Sequence, residues 1–461
     1  MPRLFGGIHL LDRPSPANIL RVDLLSLPLI SQMQSNGIYL NPTALSQLSN
    51  ELALKLSTLN SQIQSHCHSQ FNPASPDQVA NLLFQDLHLE PPASTRKTPT
   101  GKRLTVDDDT LSAMVDQHPV IQLLREWREA GKLKSTYVDA LPLMVGADGR
   151  IHTTFRNTQA RTGRLTSEAP NLQNIPQRTE EGRRVRGAFQ SDPRYRGNTI
   201  LASIDLSQIE MVVAAHLSQD HSMMDVFWTG KDIHLKTVCG VFGYDYSLLE
   251  VNWKKHKKGK LEGPEEEEMR SIEMDKRLPL KQVSFGVLFG QSPVGVQMSI
   301  LGTGGPFIPV DKCEGYIEDW FGVYPKVRDW MNIQHQRARR YGMVWTICGR
   351  SRLIPGVKSA LRGVVNEALR QCVNTPIQGS AADILKVGIA EITPLVEYFQ
   401  GFKDEVCLPL LQVHDELIFE LSMGIKDDFL GMAKPLIETA VPLSVPVRSS
   451  MATGNSWQDL K

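Results

Sequence analysis

The stretch that most narrows the folds open to this chain is residues 408–421, LPLLQVHDELIFEL. Two runs of β-prone apolar residues flank a polar centre, His414-Asp415-Glu416, the pattern of a tight hairpin with acid at its turn. Carboxylates between buried strands are costly unless something cationic neutralises them. Alone, such a turn would simply face water. A second acidic strand end changes the reading: residues 200–205, ILASID, form a short apolar strand that ends in Asp205 and runs into a helical pattern over 208–217. Two carboxylates at strand ends remote in sequence suit a pair of hard divalent cations. Oxygen ligands favour Mg²⁺, which keeps waters and borrows substrate phosphates. The pattern points to a two-metal phosphoryl-transfer site.

At 461 residues the chain exceeds one core, so about two to four subdomains are expected. Lys plus Arg equals Asp plus Glu at 50 each, so any basic footprint for nucleic acid must be local. The six cysteines are scattered without a CxxC pair, and His66-Cys67-His68 lacks the second ligand pair of a zinc site. No apolar run reaches membrane-spanning length and no secretory pattern opens the chain. A soluble, cytoplasmic protein is expected, in a bacterial nucleoid or in host cytoplasm if viral.

Residues 1–27 show no long periodicity and read as a lead-in. Asn41-Pro42 starts a helix, with Asn as N-cap, and Leu45, Leu48, Leu52, Leu56, Leu59 and Ile63 form its apolar stripe. A second helix is expected over 120–134. Between them, residues 96–103, RKTPTGKR, are either a solvated tip or a phosphate-gripping one. Residues 150–190 intersperse arginine with Asn, Gln, Thr and Gly, types that reach phosphates and base edges, so nucleic-acid contact is favoured there. The block around 253–269, with KKHKK followed by EEEE, reads as solvated and mobile.

Residues 275–290, DKRLPLKQVSFGVLFG, place Arg277, Lys281, Phe285 and Phe289 four apart, on one helical face. Two cations followed by two rings suit a nucleotide, with the triphosphate at one end and the base near the rings. Pro279 predicts that the regular helix starts there, leaving first-turn N–H groups free for an anion. Farther on, Arg370, Asn374 and Gln378 lie four apart on another helix, over 366–391 with a kink at Pro376, and suggest minor-groove contacts.

IDLSQIEMVVAAHLSQD, RLPLKQVSFGVLFG and QVHDELIFE resemble motifs A, B and C of family A DNA polymerases, the bacterial polymerase I type. TGRLTSEAPNLQNIPQRTEEGRRVR, NTPIQGSAAD and GNSWQDLK are similar to the same family, in one colinear order from about residue 28 to the end. The resemblance implies an α+β right hand with an antiparallel palm sheet, helical thumb and helical fingers. It divides the chain into the lead-in 1–27, N-terminal helices and thumb 28–140, first palm part 141–220, fingers 221–345 and second palm part 346–461. It implies two Mg²⁺ ions, with Mn²⁺ as a substitute, held by Asp205, Asp415 and the Leu206 backbone carbonyl, with Glu416 in support. Lys281 would neutralise the α-phosphate and protonate pyrophosphate. Arg277 and His234 would touch the outer phosphates, Phe285 the sugar and base, and Gln208, Glu210 and Phe289 the remainder of the dNTP pocket. Arg164, Arg178, Arg370, Asn374, Gln378 and His414 would contact primer–template DNA.

Three departures stand out. Glu210 matches the side chain that excludes a ribose 2′-hydroxyl, and the Tyr that usually steadies it is Phe289 here, which implies a looser sugar gate. The segment over 234–277 is longer than in typical members, with the charged block as the insertion. The short lead-in leaves no room for an exonuclease domain, so no proofreading is expected. The partners implied are primer–template DNA and dNTPs, acting on a monomer, with no membrane and no identified accessory protein. A single-subunit RNA polymerase would share the two acids but is opposed by Glu210. A two-metal nuclease would not need the Arg277/Lys281/Phe285 face, and a DNA-binding protein without catalysis would not need carboxylates facing phosphates.

Overall fold

At the centre of the computed structural model, which describes residues 16–67, 70–92, 95–98, 101, 103–177 and 179–460, is a four-stranded antiparallel sheet. Its strands are β1 (Thr199–Leu206), β2 (Cys407–Val413), β3 (Glu416–Ser422) and β4 (Ser449–Gly454), in the order β4-β1-β3-β2. Every residue of β3 is buried, which explains why its sequence runs apolar instead of alternating. Two residues, His414 and Asp415, join β2 to β3, with Val413 paired to Glu416. His414 takes φ +55°, the left-handed backbone that a two-residue hairpin turn demands.

The helices flank this sheet. α1 (Pro16–Asn36) buries Leu29, Ile30 and Met33 against the sheet and the long helix introduced below. From Pro16 onward, then, the expected lead-in is a core element. Its Asp23 accepts hydrogen bonds from Arg350 Nη2 at 2.9 Å and Lys386 Nζ at 2.7 Å, tying the helix to the far half of the chain. α2 (Pro42–Gln64) starts where expected: the Asn41 side chain accepts from the Thr43 and Ala44 N–H groups. α3 (Pro119–Leu133) packs on α2, and Ile63, Leu83, Leu111 and Leu124 build a separate core for this helical arm. In the basic loop the Thr98 N–H donates to the Arg103 carbonyl at 2.8 Å and the Arg103 guanidinium pairs with Asp77, while positions 99, 100 and 102 lie outside the described residues.

After β1 come α4 (Ile209–Ser218), α5 (Ile233–Phe242), α6 (Tyr246–Lys257) and α7 (Gly263–Ser271). The block expected to be solvated is therefore two helices with their own ion pairs. His256 lies between Glu266 (2.8 Å) and Glu273 (3.0 Å), and Trp253 beneath it is buried. Most of the block's charged side chains are solvent-exposed, as expected, while the half-buried His256 is enclosed by carboxylates.

The chain then stays helical through Pro279. Ile272–Arg277 forms a π turn, closed by the Leu278 N–H on the Glu273 carbonyl, and leads straight into α8 (Leu278–Leu288). The regular α-helix thus starts within one residue of the expected Pro279, but the π turn leading into it already engages the Leu278 N–H, so the expected free N–H groups are not there. A wider turn just upstream relieves the clash between the proline ring and the preceding carbonyls. α9 (Arg362–Gln400) likewise runs 39 residues through Pro376 and Pro394, well beyond the expected 366–391, and is buried along most of its second half. α10 (Lys426–Glu438) covers it from the other side. No helix among the described residues is long and apolar enough to cross a membrane.

Candidate active site

The two acidic strand ends meet. Asp205 pairs with Glu416 across β1 and β3, and the Leu206 N–H donates to the Asp415 carbonyl at 3.0 Å. Directly paired residues share a sheet face, so Asp205 and Glu416 stand side by side with Asp415 at the adjoining turn. Asp205 and Asp415 are half-buried, Glu416 almost fully. Behind Glu416 lies a buried guanidinium, Arg186, which stacks on Trp457 at 4.4 Å and donates to the Ile175 carbonyl at 3.0 Å. Burial lowers the Arg186 pKa and the Glu416 charge opposes that shift. No group of three or more His, Cys, Asp or Glu side chains closes on one point among the described residues. The donor set is thus two exposed-edge carboxylates with backbone oxygen nearby, which suits an ion that completes its shell with water and phosphate and does not suit a closed protein cage.

A second wall is formed by α8. Arg277, Lys281, Phe285 and Phe289 line one cleft of about 630 Å³, together with Glu273 and Gln282. The Phe285 and Phe289 rings lie 6.2 Å apart, and the His234 ring is 5.9 Å from Phe285. Burial drives the His234 pKa down. Asp232 opposes this, while Arg277 and Lys281 reinforce it, so the ring is a neutral hydrogen-bonding group instead of a third cation. Neither Asp205 nor Asp415 lines this cleft; the acids and the cationic face are separate walls.

The other sequence-predicted residues are more dispersed. Arg164 and Glu210, assigned to DNA and to the sugar respectively, form an ion pair with each other. Gln208 is exposed at φ +55°, just before α4, and His414 is exposed at the hairpin turn. On α9, Arg370 is exposed and its Nε donates to Glu367 at 3.0 Å; Asn374 and Gln378 are half-buried. Gly290 explains how closely α8 approaches this helix: at φ +66°, an added Cβ would come within 3.0 Å of the Arg370 Cα. Arg178 lies outside the described residues.

Two residues escaped the sequence reading. Asp232 caps α5 through its Oδ1, accepting from the His234 and Leu235 N–H groups, and holds Arg277 Nη2 at 2.8 Å through Oδ2. Trp253 lies 4.7 Å beneath the Arg277 guanidinium. The Asp that opens DIHL was a legible N-cap; nothing local linked either residue to Arg277.

Comparison with known proteins decides what this arrangement belongs to. The family model described as DNA polymerase family A matches residues 42–261 and 263–459. The chain belongs to DNA polymerase family A. This family A chain is 35% identical over 433 residues to the thermostable DNA polymerase I of Thermus filiformis, covering 94% of this chain and 47% of that protein. Against DNA polymerase I of Deinococcus radiodurans it is 35% identical over 434 residues, covering 94% and 41%. It spans about half the length of these curated relatives. Among solved structures, the POL domain of Pol1 from M. smegmatis, in complex with DNA primer-template and dNTP, superposes with a TM-score of 0.81 at 34% identity, covering 96% of this chain and 72% of that one. The α+β architecture is accordingly the right hand of this family, with an antiparallel palm sheet and helical thumb and fingers.

Proposed function

We propose that this chain is a template-directed DNA polymerase that adds dNTPs to a primer 3′-hydroxyl and releases pyrophosphate, in replication or repair. The observation that carries this reading is the 3.0 Å bond between Leu206 and Asp415, because it makes neighbours of two acids 210 positions apart. In the proposed division the thumb occupies 28–140, the palm 141–220 and 346–461, and the fingers 221–345. Asp205, Asp415 and the Leu206 carbonyl would hold two Mg²⁺ ions, with Glu416 in support. Bound there, the metal supplies acidification of the primer hydroxyl and charge neutralisation on the triphosphate. Lys281 neutralises the α-phosphate and delivers a proton to the departing pyrophosphate. Arg277 binds the outer phosphates as a planar fork, and neutral His234 adds a hydrogen bond. Phe285 backs the sugar and base, while Gln208, Glu210 and Phe289 complete the pocket. Arg164, Arg178, Arg370, Asn374, Gln378 and His414 follow the primer–template.

Primer extension with separate dNTP and NTP pools, with and without Mg²⁺, tests the whole reading. Extension from dNTPs only in the presence of metal is expected. Equal use of NTPs would favour an RNA polymerase, and primer shortening a nuclease.

Glu210 is paired with Arg164, and Phe289 offers it no hydroxyl. Restoring one with Phe289→Tyr should lower ribonucleotide insertion roughly two- to tenfold, the worth of one net hydrogen bond. Gel-resolved insertion of dNTP against rNTP measures the ratio, and an unchanged ratio would remove Phe289 from the sugar gate.

A further inference from the structure

Arg277 is restrained on two sides, and both restraints trace back to α6. The Trp253 ring, 7% exposed, lies 4.7 Å from the guanidinium carbon, and Asp232 takes Nη2 at 2.8 Å. Asp232 is itself pinned from α6: its N–H donates to the Tyr246 hydroxyl at 2.8 Å, and that hydroxyl donates to Glu250 at 3.3 Å. The far end of α6 is fastened to the turn that carries Arg277. There His256 contacts Glu266 and Glu273, and Lys257 pairs with Glu273. Arg277 Nε is buried without a hydrogen-bond partner among the described residues, so ring stacking and a single carboxylate define the plane of the group.

We propose that Trp253 is a positioning residue for Arg277, and that α6 and α7 form a clamp that sets the affinity of the cleft for the nucleotide triphosphate. A guanidinium recognises phosphate through a planar fork, so its plane must be set before binding to avoid the entropy of immobilising a long side chain. The stacked indole sets that plane, and Tyr246 sets the carboxylate that fixes the rotation within it. The segment that reads as an insertion of loose charge is thus part of the nucleotide site, without touching the nucleotide.

The proposal rests on the reading of Arg277 as a triphosphate ligand, and the experiment separates the two. Single-nucleotide insertion kinetics are measured on the full chain for Trp253→Leu, Trp253→Phe, Tyr246→Phe, Arg277→Ala and the Trp253→Leu/Arg277→Ala pair. Trp253→Leu should raise the dNTP KM about fivefold with kcat little changed, and Trp253→Phe, which keeps a ring face, should recover most of that loss. Tyr246→Phe, with an unchanged urea midpoint as the check on folding, should raise KM about twofold through the freed Asp232. The paired variant should match Arg277→Ala alone, because the indole acts only through the guanidinium. Effects that multiply in the pair, or a Tyr246→Phe enzyme with unaltered KM, would overturn the clamp while leaving the cleft assignment standing. An Arg277→Ala enzyme with unaltered dNTP KM would overturn both.

Discussion

Replacing either Asp205 or Asp415 with alanine is expected to reduce nucleotide incorporation about a thousandfold or more, since in the proposed metal-assisted displacement each would contribute several kcal/mol of charge stabilisation. The two carboxylates occupy adjoining strand ends of one sheet, and Glu416, the nearest further acid, is buried against Arg186 and poorly placed to substitute. Asparagine should fail almost as badly as alanine, because it keeps the shape and loses the charge that a hard cation requires. Binding of primer–template should remain within a few-fold of wild type, because the proposed DNA contacts are cationic side chains on other elements.

Single-turnover incorporation with Mg²⁺ reads the first effect and fluorescence anisotropy of a labelled primer–template the second. An unchanged urea midpoint would show that the sheet is intact. A variant retaining near-normal turnover would rule out the metal assignment, and a variant that lost DNA affinity in proportion to turnover would make these acids structural.

Both strand ends were legible because their physics is local. An apolar run that closes on a carboxylate can be seen within six residues, and the Asn41 cap and the stripe of α2 follow from spacing alone. What stayed hidden depends on partners far along the chain. The part of α1 before Pro28 reads as a lead-in, yet its burial comes from α9 and the sheet, and Asp23 finds its cations more than three hundred residues away. The helical form of the charged block is hidden for the same reason. Its lysines are solvated as expected, but Glu266 and Glu273 enclose His256, and Trp253, Leu261 and Met269 give the segment an inner side. Likewise, Pro279 marks the start of the regular α-helix to within a residue, but the π turn before it is not legible, and that turn engages backbone N–H where a free first turn is expected.

The largest loss of stability is expected from Arg150→Met, about 3–5 kcal/mol, the usual cost of leaving a buried carboxylate, here Glu420, without its cation. Arg150 is 2% exposed, Asp192 1% and Glu420 0%. The guanidinium donates to Asp192 at 2.9 Å, to the Gly37 carbonyl at 3.1 Å and to Glu420, whose other oxygen accepts from the Asp192 N–H at 2.6 Å and the Thr199 hydroxyl at 2.9 Å. One side chain thereby joins the end of α1, the start of β1 and the middle of β3. Glu420 pairs with Leu201 in the same register that sets Glu416 opposite Asp205, so the network guards the alignment of the two acids from the far end of the strands. Arg150→Lys should recover little, because one ammonium cannot reach acceptors spread across a planar fork. Acid adds an independent check. Burial raises the Asp192 pKa, but hydrogen bonds from Arg194 and Arg150 outweigh it and hold the group down to about 2, against an ordinary 3.8. A depressed carboxylate stabilises the fold above its unfolded value, and that contribution is lost as pH falls through the folded one. With Arg150 gone, the Asp192 pKa should rise and acid unfolding should begin at a higher pH than in wild type. Urea midpoints at neutral pH and an acid titration by circular dichroism measure both effects; if neither moved, the strand register would be held by apolar packing alone and the buried charges would be incidental to it.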